Sequence, residues 1–375
     1  MKRTILLTLV IVSLLAILSL VGCGESTNRW TRLEPDGATP DARWAQATVY
    51  LHAQQSLLLF GGLDGDWTAF NDTWVYDVAA NAWTDLQPAG ELPPARGFHA
   101  LAVHSATGLV YLFGGYFDRT SQDDLWVYDP TVNEWTELHP TGDAPGPREG
   151  HSLVYDPTTD NLILFGGSDR QQDAHLNDLW AYDPISNTWA ELKPEGDLPP
   201  ARQGHSMVYD NELGRLILFA GVGWHDTGFF NDLWAYDPIG NRWLDQDPSG
   251  DPRTWDWDET NSTWFNPYPD GKLPEARGFQ AMVSDPNNGE ILVFGGMEGT
   301  VGFNDLWSYD PMAIAWTEFF PDGRLPDPRC CFSMVCDPAT GQVFVFGGLL
   351  GTIALDDLWS YTPRPIAERE PIEGR

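Results

Sequence analysis

Six arginines recur at one fixed place in a repeating pattern: Arg43, Arg96, Arg148, Arg202, Arg277 and Arg329. A collar of guanidinium groups can grip an anionic ligand, because paired N–H donors match a carboxylate. The same side chains can instead latch onto acidic residues or backbone carbonyls of a neighbouring unit, and strict repetition favours that scaffold role. Three residues after each arginine stand His99, His151 and His205 in the second to fourth copies, against Gln46, Gln280 and Phe332 in the others. Imidazoles brought together near one axis can bind a metal or exchange protons. Hydrogen bonding to neighbouring backbone is the alternative, and no metal is assigned. Arg96, Arg148 and Arg202 with the three histidines form the candidate channel site.

A second set of candidates sits where the copies differ. These loops read Leu63-Asp-Gly-Asp-Trp67, Tyr116-Phe-Asp-Arg119, Ser168-Asp-Arg170 and Val222-Gly-Trp-His-Asp226. Trp67, Trp224, His225 and Asp118 stand out among them. Aromatic faces beside carboxylates and arginine suit a polar ligand such as a sugar, through stacking and hydrogen bonds. Asp64, Asp66 and Asp118 also offer oxygens to Ca²⁺, although no complete ligand loop is present. The plainer reading is loop polarity, with the aromatics packed on strand edges.

The elements that must position these residues are legible in the spacing. Each arginine lies 18 residues before Gly61, Gly114, Gly166, Ala220, Gly295 or Gly347, without variation. A tryptophan (Trp74, Trp126, Trp180, Trp234, Trp307, Trp359) follows 12 to 14 residues later, and another comes 9 residues beyond it in five copies. Rigid intervals mean strands and tight turns; the variable interval marks an exposed loop. Each copy reads as four short β-strands joined by turns such as Asp156-Pro-Thr-Thr159. Six such units predict an all-β, six-bladed propeller over residues 28–363.

The last copy lacks its fourth-strand tryptophan. Trp30 precedes Arg43 by the 13 residues seen at other junctions, so the N-terminal strand is expected to complete the last blade and close the ring. The fourth copy carries an insertion of 21 residues between Trp243 and Trp264. An extra hairpin or lid is expected at about 244–263, and spacing leaves open which tryptophan fills the blade.

The Phe-Gly-Gly doublets, the Asp-Leu-Trp-x-Tyr-Asp strands and the trailing tryptophan resemble the kelch-repeat propeller family, including the central domain of galactose oxidase. The resemblance spans about residues 28–363; Ala220-Gly221 and Val78, where most copies carry Asp-Pro, depart from it. A copper radical site of the galactose-oxidase kind needs a cross-linked Tyr–Cys pair and histidine ligands, and nothing here matches it. Bacterial sialic-acid epimerase is similar in size and layout. That likeness implies an acid/base pair and carboxylate-gripping arginines in the channel, yet no essential acid stands out.

Residues 1–22 combine Met1-Lys-Arg3 with an apolar run ending Leu20-Val-Gly-Cys23. This reads as an export signal resembling a bacterial lipobox, with lipidation at Cys23 and a tether over 23–27. A plain membrane helix is the rival reading. The expected location is the bacterial cell envelope, exported and held to the membrane by lipid on Cys23. Net charge is −33, which repels nucleic acid and favours basic partners. Cys330, Cys331 and Cys336 are expected to pack as small apolar residues, and 364–375 form a polar tail.

The function best suited to these observations is a monomeric, membrane-anchored binding module that recognises a protein or a glycan through its loops. A sugar-modifying enzyme of the epimerase (mutarotase) type and a purely structural envelope protein are the alternatives. No catalytic residue is assigned.

Overall fold

The computed structural model describes residues 28–224, 228–246, 256–258, 263–265, 273–287 and 289–363. The expected signal, tether and tail, Cys23, His225 and most of the fourth-copy insertion lie outside the described residues.

Six antiparallel blades of four strands form a closed propeller, the fourth blade adding a two-residue strand, Arg202–Gln203. The third shows the plan: Ser152–Asp156, Asn161–Asp169, Ala174–Asp183 and Thr188–Leu192 pair in sequence order. The second strand is a continuous apolar run, buried from Leu162 to Phe165, because a blade is covered on both faces. The third and fourth strands meet at a turn built by two side chains. Asp183 Oδ1 accepts the Ile185 N–H at 2.8 Å, and Tyr182 Oη donates to Asn187 Oδ1 at 2.8 Å. Asn187 holds φ 52°, a conformation asparagine tolerates well.

The first strands, Ala47–Leu51, Ala100–Val103, Ser152–Asp156, Ser206–Asp210, Ala281–Asp285 and Ser333–Cys336, contact one another in turn around the axis. Between blades, each phenylalanine ahead of a glycine doublet packs on the fourth-strand tryptophan of the next blade. Phe60–Trp135, Phe113–Trp189 and Phe165–Trp243 have ring centroids 5.1, 5.3 and 5.1 Å apart. Burying side chains of this size stabilises the fold by about 1.5–3 kcal/mol each.

Closure occurs as the spacing predicts. Arg29–Leu33 pairs with Leu358–Thr362, bringing Trp30 opposite Tyr361. Trp30 is 2% exposed and stacks against Phe294 of the fifth blade at 4.9 Å. Asn28 supplies the turn asparagine of this last blade, accepting from Tyr361 Oη at 3.0 Å. In the fourth blade, Trp243 pairs with Tyr236 and is buried, so Trp243 fills the position that spacing left open. Trp264 lies in a separate hairpin, Asp256–Asp258 with Thr263–Phe265.

The propeller has two distinct ends. The loop face carries the loops after the glycine doublets and the connections between blades. The turn face carries the first-to-second and third-to-fourth strand turns. Asn28 donates its N–H to the Thr362 carbonyl at 2.7 Å, so both ends of the described chain lie on the turn face.

Candidate functional site

The arginine ring is satisfied from within the chain. Arg148 is 1% exposed; its Nη1 and Nη2 donate to Asp178 Oδ1 and Oδ2 at 2.7 and 2.8 Å. Nη1 also donates to the Gly166 carbonyl at 2.9 Å, and Nε to the Gly146 carbonyl at 3.0 Å. The same latch joins Arg96 to Asp124 and Arg202 to Asp232, with both guanidiniums 0% exposed. Each aspartate additionally accepts the indole N–H of the tryptophan two residues on, as Asp178 does from Trp180 at 2.7 Å. This explains the Asp-Leu-Trp motif: one carboxylate ties the arginine and the indole together. Burial pushes the Asp124 carboxyl up, but hydrogen bonds and charge from Arg96 win and hold it below its usual value. Asp178 behaves alike beside Arg148. The fork that an anionic ligand would need is filled, so these arginines form a scaffold latch and not an open collar.

The histidines serve the same scaffold. His99, His151 and His205 are buried, edge-on to Phe60, Phe113 and Phe165 of the preceding blade at 5.4–5.5 Å. In the same ring position Gln46 and Gln280 donate to the Phe346 and Phe219 carbonyls at 2.8 and 3.0 Å. Burial, reinforced by the adjacent arginines, drives His99 and His205 down to about 3 and His151 well below its usual value. All three are therefore neutral at physiological pH. Among the described residues, no group of three or more His, Cys, Asp or Glu is placed to hold a metal.

One feature of the axis has only a faint trace in the sequence. Two residues after each latch arginine, the backbone closes a ring of hydrogen bonds around the channel. Phe98 donates to Ala45, Gly150 to Phe98, Gly204 to Gly150, Phe279 to Gly204, Cys331 to Phe279 and Ala45 to Cys331, at 2.6–2.9 Å. All six residues hold φ between 54° and 62°, which glycine adopts freely and alanine, phenylalanine and cysteine only with strain. The rings of Phe98 and Phe279 meet at 6.0 Å, and a side chain at Gly204 would strike the Phe279 ring. Two phenylalanines beside two glycines thus narrow the loop-face end of the channel. The signal was the mixture of Gly and Phe at one repeat position. Cys331 belongs to this belt, with its Sγ 3.7 Å from that of Cys330; the described cysteines are all free.

The loops of the first three blades break the symmetry. Trp67 is 55% exposed at φ 66°. Its turn is folded by Asp64, whose Oδ1 accepts the Asp66 and Thr68 N–H groups at 2.8 Å. Trp67 sits edge-on to buried Trp44 at 4.7 Å and reaches Tyr116 of the next blade at 6.3 Å. Asp118 and Arg119 form the tip of a tight hairpin, both at positive φ. Trp67, Tyr116, Phe117, Asp118 and Arg119 line a recess of about 390 Å³.

Beyond Tyr116 lies the third blade. The Arg170 guanidinium covers the Tyr116 ring at 4.5 Å and pairs through Nε with Glu149 Oε1 at 2.6 Å. Glu149 is buried, and its Oε2 has no hydrogen-bond partner among the described residues. Burial pushes its carboxyl up while Arg170 pulls it down. Glu149 was not among the candidates, because a glutamate beside a latch arginine carries no special spacing. Further round, His175 of the third blade meets Trp224 of the fourth at 4.9 Å. The structure thus joins Trp67 and Asp118 in one recess and places Trp224 apart from them.

Comparison with known proteins agrees with this architecture. The chain matches the KLHDC2/KLHL20/DRC7 Kelch-repeats domain over residues 23–212, 104–256 and 252–370. It is 27% identical over 296 residues to Kelch domain-containing protein 3 of Bos taurus, covering 74% of this chain and 69% of that protein. It is 25% identical over 311 residues to Kelch domain-containing protein 10 of Xenopus tropicalis, covering 80% and 68%. Acyl-CoA-binding domain-containing protein 4 of Arabidopsis thaliana is 30% identical over 200 residues, 53% of this chain but 29% of that protein.

Proposed function

Because the chain belongs to the kelch-repeat domain family, we propose that it is a membrane-anchored interaction module that grips a protein partner through the loop face of its first three blades. The observation that carries this reading is Trp67. A half-exposed tryptophan held at φ 66° is costly to keep, and strain of this kind concentrates at binding sites. Around it, Tyr116, Phe117, Asp118, Arg119 and Arg170 supply aromatic anchors with charged rims, the composition of interface hot spots. The acidic chain favours a basic partner surface.

The anchoring part of the reading rests on the Leu-Val-Gly-Cys23 sequence. Asn28, only five residues on, lies on the turn face, so a lipid on Cys23 turns the loop face away from the membrane. The epimerase reading draws no support from the site, since the arginines it needs are latched to aspartates of their own blades.

The test compares wild-type protein with Trp67→Ala and Tyr116→Ala in pull-downs from envelope extracts, beside a glycan array. A protein captured by wild type and lost in both variants supports the proposal. Capture that survives both substitutions, or a response to glycans alone, sinks the protein reading. Release of Cys23→Ser from the membrane fraction supports the anchor, and its retention there counts against it.

A further inference from the structure

On the turn face the axis is open. A cavity of about 480 Å³ runs inward from the ends of the first strands, within the range of small-ligand sites. Its wall is largely apolar, with Leu101, Val154, Met207, Val208, Met282 and Val335 drawn from five blades. Phe98 and Phe279 meet across its loop-face end, so the space is described as a well.

The mouth is polar, with His52, Ser105, Tyr155 and Asn211 in its lining. Tyr155 Oη donates to Asp160 at 2.6 Å, and His104 Nε2 stands 3.2 Å from the same carboxylate. Between the fourth and fifth blades the mouth opens into a second recess of about 450 Å³, which shares Asn211, Ser284 and Pro286 with the well. Asp210, Glu212, Asn287 and Gly289 complete its lining. The Glu212 carboxylate lies against Gly289, where any side chain would displace it.

Asp210 gives this recess its chemistry. It is 1% exposed, and its Oδ1 accepts the Glu212 N–H at 2.9 Å. Its Oδ2 is buried with no hydrogen-bond partner among the described residues. Arg215 acts on this carboxylate through space without satisfying that oxygen. A buried carboxylate oxygen lacking a donor is unfavourable, and a charged N–H donor relieves it best.

We infer that the axial well and its acidic recess form one binding site for an amphipathic amine, with an apolar or aromatic body in the well and a primary ammonium on Asp210. This site lies on the face opposite the Trp67 recess and is independent of the partner proposed there.

Residues 28–363 contain every strand of the six blades, including the closing one, and are the material for the test. Calorimetric titration uses 4-phenylbutylamine and three analogues in which trimethylammonium, hydroxyl or carboxylate replaces the amine. The amine is expected to bind most tightly, the trimethylated form about tenfold more weakly for want of an N–H, and the carboxylate not at all. Asp210→Asn keeps the Oδ1 contact to Glu212 and is expected to weaken the amine about tenfold. Val208→Trp fills the well and abolishes binding of the amine, its trimethylated form and the alcohol, while Trp67→Ala changes nothing. No binding of the amine overturns the inference, as does equal binding of amine and carboxylate. Unchanged amine affinity in a natively melting Asp210→Asn protein overturns it too, whether or not Val208→Trp folds.

Discussion

Arg148 and Arg170 stand in one blade and have opposite fates. Arg148 is buried, bound bidentately to Asp178, and repeated in every blade. Arg170 is 43% exposed in its side chain, shares one bond with Glu149, and covers the tyrosine of a neighbouring blade. The first belongs to a latch whose geometry is the same six times over; the second has no equivalent elsewhere. A propeller must repeat what holds its blades together, and it is free to vary what its loops display. Repetition therefore marks stability, and its loss marks the place to look for recognition.

Breaking the latch is expected to have the largest effect. Arg148→Met leaves the Asp178 carboxylate without its partner, and removing one member of a buried pair costs about 3–5 kcal/mol. Adding Asp178→Leu removes the stranded charge and restores part of that loss. Chemical denaturation of the single and double variants measures both. A single variant as stable as wild type would remove the contrast with Arg170→Met, which is expected to change stability by less than about 1 kcal/mol.

The histidine ring sharpens the comparison through pH. His99 is held neutral, with its folded value near 3 and its unfolded value near 6.5. Below about pH 6.5 the unfolded chain takes up a proton that the folded one refuses, so stability is present above that pH and lost as pH falls toward 3. The slope is at most about 1.4 kcal/mol per pH unit for one such group. Glutamine already fills this ring position at Gln46 and Gln280. His99→Gln is thus expected to fold and to flatten the decline in melting temperature between pH 7 and pH 5. An unaltered pH profile would show that His99 is not the group refusing the proton.

The belt lies between latch and rim in character. It repeats in backbone but not in side chain: Ala45, Phe98, Gly150, Gly204, Phe279 and Cys331 share one conformation. Phe98→Gly relieves a left-handed strain of about 1–2 kcal/mol while losing the apolar contacts of a partly buried ring. These nearly cancel, so a net change within about 1 kcal/mol is expected, well short of the 3–5 kcal/mol for a core phenylalanine such as Phe113. Denaturation of Phe98→Gly beside Phe113→Ala provides the check.

The sequence made the scaffold readable because its constraints repeat. Six intervals of one length, from each arginine to Gly or, once, Ala220, fixed the strands, and Trp30 at the junction interval announced the closure. The role of the arginines stayed open at that level, since a guanidinium ring suits a ligand and a carboxylate latch alike. Only three-dimensional pairing with Asp124, Asp178 and Asp232 distinguishes them. Asp210 and Glu149 were invisible for a different reason. Glu149 is an ordinary acid by type and spacing, while Asp210 shares its place eight residues after a latch arginine with Asp156, Asp285 and Asp337; burial together with an oxygen lacking a donor among the described residues sets each apart. Trp67 and Asp118 were legible because they interrupt the pattern.

Trp67→Gly has the smallest expected effect on stability and the most decisive one on the contrast. Trp67 occupies the left-handed region, where a large side chain costs about 1–2 kcal/mol and glycine does not. Glycine in turn loses about 0.5–1 kcal/mol through the freedom of the unfolded chain. The exposed half of the indole contributes little, so the substitution is expected to leave stability unchanged or slightly raised, within about 1 kcal/mol. A scaffold residue cannot behave this way, because replacing it with glycine empties a packed site, as at Trp135 or Trp189. The partner captured by the loop face should nevertheless bind Trp67→Gly at least about tenfold more weakly, the loss typical of an aromatic anchor. Measured melting and binding thus move independently at Trp67 and together at Trp135. A Trp67→Gly protein that melts well below wild type would instead place this indole with the scaffold, and the asymmetry of the first three blades would then be an accident of loop length.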